Sequence, residues 1–508
     1  MGSCHLGPSF PIWLRSQKAI KFLDFSNASI SDSLPHWFWN ISSDLSLLNV
    51  SFNQLKGQLP SPLNVGSFAD VDLSYNLFDG PIPLPMVEIV LLDLSNNKLS
   101  GPIPDNIGDS LPNLVFLSLS GNKITGQIPH SIGKMQILQA IDLSINNLSG
   151  AIPSSIANCS ILKALDLSNN NLFGNIPHYI GDLRMLRTLH LSDNKLTGKI
   201  PSSFLNLSSL ETLDLRNNKL TGRLPQQIGE AFSNLRVLSL RSNWLYGELP
   251  SVLSNLSSLQ VLDLSENQFN GSVPVGFGDF EAMTRVHLVN KYLFFGFYRG
   301  VYYEDSLKVN AKGQTLQYTK TLSLLTSLDL SGNNLSGYLP EEVTKLLGLA
   351  VLNLSRNHIA GHIPVGISNL GQLLSLDLSS NRLTGPIPES MSSLSFLGHL
   401  NLSNNDLSGM VPYTGHLTTF DAASFEGNPL LCGDPLAAKC PHSSDGSNEG
   451  RDFGESNGGD GFVDEWFYLS VGLGFASGIL VPVAMFSLRR SWRNAYFSLV
   501  DNVVSRFI

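Results

Sequence analysis

Aspartates recur at the same point of a repeated phrase, at Asp72, Asp93, Asp142, Asp166, Asp214, Asp263, Asp329 and Asp377. Carboxylates brought close together can hold a cation or share a proton as an acid–base pair. Here each stands in the same LDLS-like phrase, so the repeat dictates the residue. The column is expected to be a solvated ladder rather than a cation or acid–base site. Residues that break the phrase carry more information: Arg187, His190 and Asp193, then Glu211 and Arg216, then Arg236 and Arg241, then Glu266. Trp244 and Tyr246 follow just beyond a strand. Coming from successive repeats, these ten should lie side by side on the concave face as a ligand-binding surface, since Trp, Tyr and Arg are the usual anchors of interfaces. Ordinary surface variation with cross-strand ion pairs would give the same pattern, and that alternative stays open. No HExxH, no GxSxG and no clustered metal ligands occur, and the eleven His are scattered. No catalytic residue, metal or cofactor is expected, and the chain is read as a non-enzyme.

The elements that must position these residues come from one repeat, LxxLxLxxNxLxGxIP, with a period of about 24 residues. The Asn markers run from Asn53 through Asn76, Asn97, Asn122, Asn146, Asn170, Asn194, Asn218, Asn243 and Asn267, and resume at Asn333, Asn357, Asn381 and Asn405. Such a period belongs to an α/β leucine-rich-repeat solenoid, a right-handed superhelix whose coils cannot bury their apolar faces alone. In each LxL segment alternate residues point to opposite faces, so Leu213 and Leu215 go inward while Asp214 and Arg216 go outward. Stacked segments make a parallel concave sheet. The Asn side chain, with donors and an acceptor, satisfies backbone groups where the chain turns off the strand. Gly222 permits a tight backbone, and the Leu-Pro step forces an extended segment. The convex return, residues 226–235 here, is expected to be a short helix or a 3-10 turn. Long helices would not tolerate Gly and Pro at fixed phase in every unit.

Charged residues are 14% of the 508-residue chain and the net charge is −9. No basic stripe is evident in the sequence, so nucleic-acid binding has no electrostatic footprint. Cys432 and Cys440 sit just past the last repeat, where a solenoid needs a cap over its apolar end, and are read as a cap disulfide of an oxidising compartment. Cys159 is expected to be a buried free thiol, and Cys4 is given no role. Glycosylation sequons start at Asn27, Asn40, Asn49, Asn147, Asn158, Asn206, Asn255, Asn270, Asn334, Asn353 and Asn401. The repeat itself writes NLS, so their number alone says little; with the cap cysteines they agree with a secretory route.

Repeats occupy 1–278. An island at 279–320 breaks the pattern and is rich in aromatics, among them Tyr292, Phe294, Phe295, Phe297, Tyr298, Tyr302, Tyr303 and Tyr318. It is read as part core, part contact surface. Four repeats follow at 321–411, then a cap at 412–440 and an acidic flexible linker at 441–465. Residues 466–488 are apolar and long enough to cross a bilayer, for which about 20 suffice. Arg489, Arg490 and Arg493 follow, which puts the short tail at 489–508 in the cytoplasm as a single-pass type I protein of the plasma membrane. Gly474 and Gly478 form a GxxxG that lets another helix approach, and Tyr496 to Leu499 has the form of a tyrosine-based sorting motif. The first residues carry no signal-peptide pattern and no paired-Cys cap, so the sequence is expected to lack the start of a longer protein.

These segments resemble the plant leucine-rich-repeat receptor-like proteins that lack a kinase, most nearly the fungal-xylanase receptor type. The resemblance rests on SCHLGPSFPIWLRSQ, KVNAKGQTLQYTKTLSLLTSLDLS, GNPLLCGDPL and WFYLSVGLGF. It implies a cell-surface receptor that binds an extracellular protein or peptide and signals in defence through an adaptor receptor kinase and a co-receptor kinase. A developmental peptide receptor of the same architecture, or an inhibitor of a microbial wall-degrading enzyme, are the other readings.

Overall fold

The computed structural model describes residues 2–287, 295–297, 301–304, 307–311, 314–319 and 324–440. The four repeat leucines of each coil do what their spacing requires. In the coil around Thr212–Asp214, Leu210, Leu213, Leu215 and Leu220 all point into the core and are buried. Thr212 and Asp214 flank Leu213 on the other face of the strand. Fifteen such three-residue strands, from Phe22–Asp24 to His399–Asn401, pair in parallel into one sheet, coil beside coil. The coil at Phe22–Asp24 precedes the first Asn marker of the sequence reading.

Each ladder asparagine ties its own coil to the one before it. Asn218 donates through Nδ2 to the carbonyls of Leu191, Leu215 and Arg216 at 3.0–3.2 Å, and its Oδ1 accepts from the Leu196 amide at 3.0 Å. The same bonds recur at Asn428, beyond the last marker read from the sequence, so the cap is built as one more coil. Its strand Leu430–Cys432 pairs with Asp406–Met410, and Cys432 is disulfide-bonded to Cys440.

After the asparagine the chain forms a second strand in each coil from Leu47–Asn49 onward, which the sequence reading did not separate from the turn. Lys219–Gly222 is one of them, and fifteen of these make a second parallel sheet. Gly222 sits at φ 105°, where a side chain would strain the backbone. The return is mostly a 3-10 turn opened by the repeat proline, as in Ser202–Asn206 after Pro201, with single α-helical turns at Phe38–Ile41, Ile107–Ser110 and Ile228–Ala231.

The island does not interrupt either sheet. Val261–Asp263 pairs directly with Ser327–Asp329, and Gln268–Ser272 with Asn334–Tyr338. The solenoid also runs past the boundary read at residue 278. Glu281–Thr284 is a convex turn, and Phe280 and Met283 are buried where other coils carry leucines. Beyond it lie two antiparallel hairpins, Phe295–Phe297 with Val301–Glu304, and Leu307–Ala311 with Gln314–Tyr318. Tyr292, Phe294 and Tyr298 lie outside the described residues, as do the linker, the apolar segment 466–488 with Gly474 and Gly478, and the tail with Tyr496 and Leu499. Among the described residues no helix is long and apolar enough to cross a membrane.

Candidate functional site

The strand register stacks the aspartates into one column on the outward face of the first sheet, interrupted by Ser118, His190, Ser239 and Asn353. In three places two carboxylates are direct neighbours: Asp72 with Asp93, Asp142 with Asp166, and Asp263 with Asp329. The expectation of a solvated ladder is corrected here. Asp214, Asp263 and Asp329 are buried and the others are half-buried. Each folds back on its own turn, as Asp72 does in accepting the Ser74 amide at 3.0 Å and the Ser74 hydroxyl at 2.7 Å. Burial, and then the neighbouring aspartate, push Asp93, Asp166 and Asp329 each up to about 7. Among the described residues no group of three or more His, Cys, Asp or Glu is placed to hold a metal.

The consensus-breaking residues are largely engaged with one another. Arg187 Nε donates to Glu211 at 2.8 Å, and Arg236 Nε donates to the Gln260 carbonyl oxygen at 2.9 Å. His190 is buried and faces Asp214 across 3.4 Å. Arg216 reaches Asp214 at 3.1 Å and Asp193 at 3.7 Å. Burial would raise Asp214, but Arg216 and His190 outweigh it and hold the carboxyl below its usual range. Glu266 pairs with Arg356 two coils away, across Gly332. A Cβ on Gly332 would stand 2.9 Å from the Glu266 carboxylate, so only glycine leaves the path open. The cross-strand pairing that the sequence left open therefore accounts for much of this set.

Two placements differ from the sequence reading. Trp244 and Tyr246 are not on the first sheet. They belong to the strand Trp244–Glu248 of the second sheet, where they are 51% and 44% exposed. Arg216 is not an open contact: it is 7% exposed, and its Nη1 donates to the Lys308 carbonyl at 3.4 Å. The reason is the second hairpin, which lies on the first sheet. Leu307 and Val309 are buried against Val237, Val261 and Val351, with Leu316 and Tyr318 partly buried beside them. Burial also pushes the Tyr318 phenol up. A signal for this cover was in the sequence, because Val237, Val261 and Val351 place β-branched apolar groups at an outward position that Thr188, Thr212, Ser327 and Ser375 hold in the neighbouring coils.

Beside the hairpin the first sheet carries a cleft of about 460 Å³. Gln314 of the hairpin and Arg241 stand on one side, and Arg356, Asp377, His399 and Asn404 of the later repeats on the other. Serines, Asn353, Asn401 and Val351 complete the lining, so the cleft is mostly polar and offers hydrogen-bonding groups of both kinds. Sequence reasoning missed it because most of these residues match the repeat, while Arg356 and His399 depart from it.

Comparison with known proteins agrees with this architecture. A leucine-rich repeat region model matches residues 155–270, and leucine-rich repeat models match 112–172, 88–110, 324–346, 348–370 and 372–394. The chain is 49% identical over 83 residues to Receptor-like protein EIX1 of Solanum lycopersicum, and 43% identical over 83 residues to Receptor-like protein EIX2 of the same plant. The chain carries leucine-rich repeats and is similar to plant receptor-like proteins. Each of these matches spans 16% of this chain and 8% of the relative. Among solved structures, the peptide hormone receptor RGFR1 in complex with RGF2 aligns with a TM-score of 0.61 at 28% identity, over 79% of this chain and 66% of that one. A TDR receptor aligns at 0.59 and 26% identity, over 81% of this chain and 71% of that one.

Proposed function

We propose that this protein binds an extracellular protein or peptide in the cleft beside the hairpin and signals in plant defence through partner receptor kinases. The observation that carries the reading is the hairpin itself. Docked on the first sheet, it turns a continuous ladder into a bounded polar cleft between two runs of repeats. Relatives named as receptor-like proteins, and a peptide hormone receptor of similar fold, support ligand binding as the class of function. In this reading residues 466–488 anchor the protein in the plasma membrane, with the 489–508 tail in the cytoplasm. In the same reading the signal passes to an adaptor kinase, with the Gly474 and Gly478 face of the span as the contact. Tyr496 and Leu499 serve sorting.

The test uses a fungal xylanase as first probe, followed by a panel of secreted microbial proteins and plant peptides. With a ligand in hand, the variant Arg356→Gln/His399→Ala should bind about tenfold or more weakly, as expected for anchors of a binding site. Unchanged affinity in that variant would sink the cleft as the site.

A further inference from the structure

The second sheet has an outward face that neither the cleft nor the hairpin uses. In two adjacent coils both of its exposed columns are basic: Lys195 and Lys199 in one, Lys219 and Arg223 in the next. A lysine at the first of these positions is common in the repeat, as at Lys98 and Lys123. The second cation is not, since the corresponding residues of earlier coils are Pro102, Gln127 and Ala151. All four side chains are exposed, and none has an ion-pair partner among the described residues. The Lys199 stem passes 3.1 Å from where a Cβ of Gly222 would stand, and the Arg223 stem 3.0 Å from that of Gly247. Both therefore lie flat along the sheet.

Aromatic rings bound the patch on both sides. Phe173 is paired in register with Lys195 and is 53% exposed. Trp244 is in register with Thr221, and Tyr246 follows it on the same face. The sheet's sequons lie outside this window: Asn147 is exposed on the strand Asn147–Gly150, and Asn270 and Asn334 on later strands. The intervening sequons Asn158, Asn206 and Asn255 sit on the 3-10 turns of the return. The basic and aromatic window therefore carries no glycan acceptor on this sheet.

We infer that this patch binds an acidic polysaccharide, a polyuronate lying along the sheet. Its carboxylates would meet the four cations and the apolar faces of its sugars would stack on Phe173, Trp244 and Tyr246. Adjacent strands stand about 4.8 Å apart, so the cations recur on the scale of one sugar in an extended chain. A protein partner fits less well, because lysine is depleted in protein interfaces and three of the four cations are lysines. A nucleic acid fits less well in a chain of net charge −9 that carries a disulfide.

The test titrates the full 508-residue chain with a size-fractionated oligogalacturonate, and in parallel with dextran sulfate, polyglutamate and single-stranded DNA. The variant K195Q/K199Q/K219Q/R223Q should bind the uronate about tenfold or more weakly, the sum of several exposed ion pairs. Trp244→Ala/Tyr246→Ala should weaken the uronate but not dextran sulfate, while Lys98→Gln/Lys123→Gln should change nothing. Because these side chains are exposed, melting temperatures should match the wild type, which separates lost binding from lost folding. No uronate binding by the wild type, or equal binding by the quadruple variant, overturns the proposal. So does polyglutamate or DNA binding as tight as the uronate with no dependence on Trp244 and Tyr246.

Discussion

Replacing Asp329 by Asn should make the protein less sensitive to rising pH. Asp329 lies under the hairpin beside Asp263, and its carboxyl is pushed up to about 7 from an ordinary 3.8, first by burial and next by Asp263. A carboxyl raised in the folded state binds more protons there than in the unfolded chain. Its stabilising contribution is therefore full below about pH 4 and is lost as the pH rises toward 7. Between pH 5 and pH 7 the loss is two pH units at about 1.4 kcal/mol each, roughly 3 kcal/mol. Asn removes the titration and keeps the turn. Asp329 Oδ1 accepts the Ser331 amide at 3.0 Å, and the natural Asn353 in the next coil accepts the Ser355 amide in the same way at 3.1 Å. The assay is urea unfolding of wild type and Asp329→Asn at pH 5, 6, 7 and 8. The advantage of the variant should grow by roughly 2–3 kcal/mol across that range. Parallel pH profiles for the two proteins would refute the carboxylate pair as a source of pH dependence.

Three further outcomes follow from the same contacts. Asn218→Ala should lower stability by roughly 1–3 kcal/mol, since it leaves the Leu196 amide without its acceptor while the Leu191, Leu215 and Arg216 carbonyls keep bonds from Asn194, Asn243 and the Asp193 amide; a loss well under about 1 kcal/mol in a denaturant titration would mean that water replaces that bond. Cys159 is buried with its thiol pushed up to about 11, so a thiol reagent at about pH 7.5 should label the exposed Cys4 alone until denaturant is added. In secreted protein, glycopeptide mass spectrometry should find Asn158, Asn206 and Asn255 occupied, because they are exposed on the return turns. Asn353 should be bare, because its side chain lies in the aspartate column and donates to Asp329 at 3.3 Å.

The repeat determined by itself what is decided within one coil and its neighbour. Leucine spacing gave the inward faces, the asparagines gave the ladder, and the position of Cys432 and Cys440 gave the cap. These contacts recur in every coil, so the sequence states them many times over. Only the tertiary structure decided what covers the sheet. The hairpin at 307–318 meets Val237, Val261 and Val351, and no periodicity links those segments. That cover buries Arg216 and the Asp263–Asp329 pair and bounds the cleft. The second sheet likewise escaped the pattern, because three to five residues after each asparagine are too few to show the alternation of a strand. It moved Trp244 and Tyr246 to a different face from the charged residues beside them in the chain. A side chain's face depends on which strand its backbone joins, and that is settled by pairing between coils rather than by the residues alone.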